Sequence, residues 1–134
     1  MQPLLILKIK SVPNQIKHIE SYVDSLMCKC KFTKEVHDNI LISLTEAVNN
    51  AIIHGNKADQ TKFVNIKCEE KSEKVIIRIS DEGGGFNPNA VADPTLPENI
   101  EICGGRGVFI MKQLSDKISF LDNGRTVEMH FRLS

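Results

Sequence analysis

The sequence has no net charge: 17 Lys and Arg stand against 17 Asp and Glu. That balance argues against a function driven by bulk attraction to nucleic acid or an anionic membrane, while leaving room for a local basic patch. It also has no apolar run long enough to span a bilayer. The opening MQPLLILKIK is too short for the apolar region of a secretory signal, and no small-residue cleavage site follows it. A cytoplasmic protein is the expectation. Cysteine is sparse and poorly spaced for chemistry: Cys28 and Cys30 form C-K-C rather than C-x-x-C, and Cys68 and Cys103 stand apart. They read as reduced, partly buried thiols rather than as a zinc or redox centre. The Walker A pattern is absent, as are internal repeats and low-complexity tracts. What remains is an ordinary globular composition, 41% hydrophobic and 25% charged over 134 residues, which fits one domain spanning 1–134.

Periodicity supplies the elements. LLILKIKSV is β-rich and ends at Pro13. The next stretch has Ile16, Ile19, Tyr22, Val23 and Leu26 at helical spacing, with Pro13 suited to the helix start. Thr33 is a candidate N-cap for a second helix that stops near Gly55. TKFVNIKCEE and KVIIRISDE read as strands joined around KSEK. A Gly-, Pro- and Asn-rich segment follows, long for a compact domain and therefore a candidate functional loop. RGVFIMKQLSD reads as a helix with Val108, Met111 and Leu114 inward, and KISFLDNGRTVEMHFRL as a closing hairpin turning at DNG. The order β-α-α-β-β-loop-α-β-β predicts an α+β fold: a two-layer α/β sandwich, mostly antiparallel, with helices on one face. Alternating βαβ units, and with them a Rossmann or P-loop fold, are not indicated.

The second helix carries an unusual stripe. At about 100° per residue, Ile40, Leu41, Leu44, Ala47, Val48, Ala51 and Ile52 share one broad face. Asn39, Ser43, Glu46, Asn50 and His54 form a narrow polar line, with Ile42 and Ile53 beyond it. A polar line with apolar edges on both sides suits a cavity wall better than a solvated face. One reading is a set of solvated or mutually satisfied groups. The other is a ligand site with Glu46 as base, Asn50 as a neutral oxygen donor to a hard cation such as Mg²⁺, and His54 nearby. Two glycine segments raise similar alternatives. In ISDEGGGFNP, Asp81 ends a strand before Gly83, Gly84 and Gly85, which suits either a flexible turn or close approach of a ligand whose exocyclic amine meets the carboxylate. In CGGRGVFIMKQL, glycines precede a helix whose first N–H groups favour phosphate, with Arg106 adding positive charge; a plain loop-to-helix joint is the other reading.

Taken in order, EAVNNAIIHGN, DEGGGF and GGRGVFIMKQLSD resemble the Bergerat-fold (GHKL) ATPases, a group that includes gyrase, MutL and the catalytic domains of histidine kinases. The likeness covers nearly the whole chain. Through NAIIHGN and FIMKQLSDKISF it is similar to the small anti-sigma factor serine/threonine kinases. The resemblance implies ATP and Mg²⁺ as cofactors, Glu46 as general base and Asn50 as the Mg²⁺ ligand. It implies Asp81 on the adenine amine, room for the base at Gly83 and Gly85, and an ATP lid over residues 88–104. Gly105, Arg106 and Gly107 would lie by the phosphates, with Val108 beside them in the cofactor-binding set, Thr126 near adenine and His54 beside the nucleotide. Two departures accompany it: Asn49 beside Asn50, and Glu82 next to the adenine site with no assignable role. The implied activity is phosphorylation of a STAS-domain anti-sigma factor antagonist by a kinase that also binds a sigma factor, and small kinases of this type commonly pair as homodimers. Neither direct nucleic-acid nor membrane binding is implied. A nucleotide-dependent binding switch without phosphotransfer is the alternative function, and an interaction module with no nucleotide is a third.

Overall fold

The pleat of the sheet decides which residues meet the helices. In the computed structural model, which describes residues 4–83 and 105–133, five strands pair antiparallel in the order β1-β2-β3-β5-β4. They are β1 (Leu5–Lys10), β2 (Phe63–Lys71), β3 (Lys74–Ser80), β4 (Lys117–Leu121) and β5 (Thr126–Arg132). Successive residues face opposite sides, so the register draws apolar rows across one face. Ile9 lies opposite Val64, Ile66 opposite Ile79, Ile77 opposite Met129, and Val127 opposite Phe120. These rows join the buried core. The other face carries a polar lattice, in which Arg78 Nε donates to Glu128 Oε2 at 2.7 Å and His130 Nε2 lies 2.8 Å from Glu128 Oε1. Both hairpin turns use left-handed backbone: Ser72 and Glu73 between β2 and β3, and Asp122, Asn123 and Gly124 between β4 and β5. Such conformations match the strand twist in tight hairpins.

Three helices cover the apolar rows. In α1 (Lys17–Cys30), Ile19, Tyr22, Val23 and Leu26 are buried at helical spacing, and the Tyr22 hydroxyl donates to the Leu5 carbonyl at 2.9 Å. As expected, Thr33 caps α2 (Lys34–Asn50), its Oγ1 accepting from Val36 N at 3.2 Å. Ile40, Leu44, Ala47, Val48 and Ile52 are fully or almost fully buried along the predicted face. α3 (Gly105–Leu114) turns Val108 and Met111 into the core. The expected two-layer α+β order is what is observed. Burial pushes the Cys68 thiol up to about 12, and Cys30 is buried as well. Among the described residues, no helix is long and apolar enough to cross a membrane.

The end of α2 departs from expectation. The regular helix stops at Asn50, and Ala51–Gly55 forms a single wide π turn closed by Asn56 N donating to Ala51 O at 2.8 Å. Turns of this kind re-aim the side chains beyond them, so the projection that put His54 in line with Glu46 and Asn50 does not extend past Asn50. Nor is the polar stripe flanked by buried apolar residues on both sides. Ile42 and Ile53 are 46% and 41% exposed, so the far edge faces solvent, and α3 is what covers part of the stripe.

Candidate functional site

One end of α2, the end of β3, the β4–β5 hairpin and α3 enclose a cavity. Its walls are mostly apolar, including Ala47, Ala51, Ile79, Met111, Phe120 and Val127, and its polar groups are Asn50, Asp81 and Arg125. A small number of polar groups in an apolar slot is how a protein orients a flat organic ligand.

Asp81 is held from three sides. Its N–H donates to the Arg125 carbonyl at 2.9 Å, tying it to the start of β5. Its Oδ1 accepts from Gly83 N at 2.8 Å. Gly55 packs directly against its carboxylate, where any Cβ would collide with both oxygens. Gly83 in turn packs so closely on the Gly55 carbonyl that it too admits no side chain. Loss of water raises the Asp81 pKa above the ordinary carboxylate value, and the Gly83 N–H and Arg125 counteract this only in part. A desolvated carboxylate whose second oxygen has no hydrogen-bond donor among the described residues suits a donor from a ligand in the cavity.

Glu46 and Asn50 sit one turn apart on α2 and both face the first turn of α3. A Cβ on Gly107 would lie 3.0 Å from Glu46 Oε2 and 3.1 Å from Asn50 Nδ2, so glycine is what lets α3 approach this close. The first backbone N–H groups of α3, unpaired within the helix, are therefore brought to the side of the carboxylate and amide. Arg106 is exposed beside them, and Gly105 begins the helix. Val108 is 3% exposed, so its side chain serves the core and only its backbone could serve a ligand. Further along the stripe, Ser43 is fully buried and its hydroxyl has no hydrogen-bond partner among the described residues.

Other expected residues are not gathered here. His54 lies on the π turn, half-buried, and does not line the cavity. Thr126 belongs to the opposite face of the sheet: its Oγ1 lies 3.0 Å from Ser80 Oγ and donates to Asp122 Oδ2 at 3.1 Å. Its neighbours Arg125 and Val127 line the cavity instead. The pleat explains this, because Val127 pairs inward with Ile79 and Phe120, which turns Thr126 outward. Gly85 and the lid over 88–104 lie outside the described residues.

Sequence reasoning missed Gly55, Phe120 and Arg125 as residues of the cavity wall, and it missed Asn56, which lies behind the wall and bonds to Glu82. In the sequence Gly55 reads only as a helix stop. Glu82, which had no assignable role, bonds away from the cavity: its N–H donates to Asn56 Oδ1 at 2.7 Å and its carboxylate accepts from Phe63 N.

Known proteins resemble this chain over nearly its whole length. The sequence model of the histidine kinase-like ATPase domain matches residues 9–131. The chain is 25% identical over 130 residues to a serine-protein kinase RsbW of Bacillus licheniformis, covering 92% of this chain and 81% of that protein. It is 21% identical over 136 residues to an RsbW of Listeria innocua, covering 96% and 87%. An anti-sigma F factor of Clostridium perfringens is 27% identical over 117 residues, with 84% of each chain covered. The crystal structure of the RsbU and RsbW domains of a Mycobacterium tuberculosis protein superposes with a TM-score of 0.65 at 14% identity, covering 98% of this chain and 33% of that longer one. On a match that runs from β1 to β5, this chain belongs to the histidine kinase-like ATPase domain family.

Proposed function

We propose that this chain, acting as a single domain, is an ATP-dependent serine/threonine protein kinase and anti-sigma factor that phosphorylates a STAS-domain antagonist. The observation that carries the reading is the convergence of Asp81 and Asn50 on one apolar cavity, with Glu46 beside Asn50 at the start of α3. The names of similar proteins, serine-protein kinase and anti-sigma factor, support the same reading.

In this reading Ala51, Ile79 and Val127 would hold the adenine ring, and Asp81 would accept from its exocyclic amine. The closely packed glycines Gly55 and Gly83 leave the carboxylate reachable. Gly105, Arg106, Gly107 and the backbone of Val108 would hold the phosphates, since helix N–H groups and a guanidinium favour anions. The donor set suits Mg²⁺: one neutral oxygen from Asn50 with one carboxylate adjacent, leaving most of the coordination to phosphate and water. Bound there, Mg²⁺ would neutralise charge on the transferring phosphoryl group. Glu46 accepts the proton of the acceptor hydroxyl as the new oxygen–phosphorus bond forms in line and the bond to the bridging β–γ oxygen breaks. A sigma factor would bind the same protein, whose homodimerisation is part of the proposal.

Purified protein incubated with γ-labelled ATP, Mg²⁺ and a STAS-domain antagonist should label the antagonist. Glu46→Gln should still bind ADP while transfer falls about 10²-fold or more. Equal loss of binding and transfer would remove Glu46 from the base role. Tight ADP binding without any labelling by the wild type would instead support a nucleotide-dependent switch.

A further inference from the structure

Asn56, immediately after the π turn, is 1% exposed and spends its whole amide on three different segments. Nδ2 donates to Ser11 Oγ at 2.7 Å and to the Phe63 carbonyl at 3.0 Å. Oδ1 accepts from Glu82 N at 2.7 Å. Two acceptors on one side and one N–H donor on the other fix which end of the amide is oxygen. Ser11 is itself fully buried, and its hydroxyl donates to the Lys62 carbonyl at 2.8 Å, so it is obliged to accept from Asn56. The Glu82 carboxylate closes the circuit by accepting from Phe63 N. One side chain thus joins the end of the α2 unit, the end of β1, the start of β2 and the residue after Asp81.

The consequence falls on Asp81. Its own N–H is tied to Arg125, just before β5, and the peptide that follows it is tied to Asn56. Between those anchors the carboxylate is pressed against Gly55, the residue next to Asn56. Beside the Arg125 carbonyl and the Gly83 N–H, the amide of Asn56 is a further hold on this residue, acting through the Asp81–Glu82 peptide next to Gly55.

We propose that Asn56 is the positioning residue for base recognition, holding the Asp81 carboxylate in the cavity so that a nucleotide carrying an exocyclic amine donor is selected over one that presents a carbonyl there. This rests on the nucleotide reading above. Asn56 touches no ligand, so its effect runs through Asp81.

The test measures ADP and GDP dissociation constants for the wild type, Asn56→Ala, Asp81→Ala and the double variant, together with amide hydrogen exchange of the ligand-free proteins. Asn56→Ala should weaken ADP about tenfold and leave weak GDP binding unchanged, so that the ADP/GDP preference collapses. On the Asp81→Ala background the same substitution should cost almost nothing further. Ser11→Ala, which removes one anchor of the amide and lies outside the cavity, should act in the same direction more weakly, and it serves if Asn56→Ala does not fold. Unchanged ADP affinity in both folded variants, or additive losses in the double variant, would overturn the inference. A wild type that binds no ADP would instead overturn the nucleotide reading. In that case the exchange data still decide the positioning role: faster exchange of the Asp81, Glu82 and Gly83 amides in the variants supports it, and unchanged protection refutes it.

Discussion

Asp81 sits at the end of β3 in a place that disfavours its charge. Burial holds its pKa above the ordinary carboxylate value, so the folded protein binds a proton there more readily than the unfolded chain does. This residue therefore costs stability above its raised pKa, and the cost vanishes as pH falls below the unfolded value near 4. Asp81→Asn keeps an oxygen for the Gly83 N–H and removes the desolvated charge. The ligand-free variant should therefore unfold at a higher temperature than the wild type at pH 8, with the difference shrinking toward pH 4. The same substitution should weaken ADP binding about tenfold, because an amide N–H would then face the amine donor. Calorimetric melts and titrations at both pH values check this, and a variant less stable at pH 8 with unchanged ADP affinity would contradict the assignment. Stability given up where a ligand must be recognised is a common feature of binding sites.

The helices show the same division between scaffold and site. The buried face of α2 was readable from its 3.6-residue period because burial against a sheet depends on spacing alone. What joins α2 to α1 was not readable. His37 is 7% exposed, with Nε2 2.8 Å from Asp24 Oδ1 on α1 and Nδ1 3.0 Å from Asp38 Oδ1. Hydrogen bonds to Asp24 first, and then to Asp38, raise its pKa above the ordinary value. The contribution to stability is thus complete below the unfolded value of about 6.5 and is lost as pH rises through the raised folded value. Melting temperature should decline across that interval, and His37→Gln should flatten the decline. A wild-type profile that stays level from pH 6 to pH 9 would show that the contact contributes nothing. At the other end of α2 the π turn moves His54 out of line, a change no helical projection anticipates because it adds a residue to the turn.

At the scale of the molecule, ligand and fold should be linked. A nucleotide seated among α2, α3, β3 and the β4–β5 hairpin touches elements distant in sequence, and binding only the folded state stabilises it by mass action. Mg²⁺ with ADP at about 100 times its dissociation constant should add about 2.7 kcal/mol. GDP at the same concentration should add much less, and chelating Mg²⁺ should reduce the ADP effect. Thermal shift measurements read all three, and equal shifts with ADP and GDP would argue against a cavity that distinguishes the bases.

By itself the sequence determined the elements, their order and most of the inward face of each helix, Leu114 being only half-buried, and it pointed to the candidate residues Glu46, Asn50 and Asp81, since period, capping and glycine placement act locally. The Thr33 cap and the Val108–Met111 face are cases of that kind. The tertiary structure alone decided what depends on contacts between distant segments. Strand register turned Thr126 outward and brought Arg125 to the cavity, a one-residue difference that alternation cannot resolve without knowing the partner strands. The approach of α3 set Gly107 against Glu46 and Asn50. The hydrogen bonds of Asn56 and Glu82, which bridge residues 11, 63 and 82, exist only because three strand ends and one helix end meet at a single point.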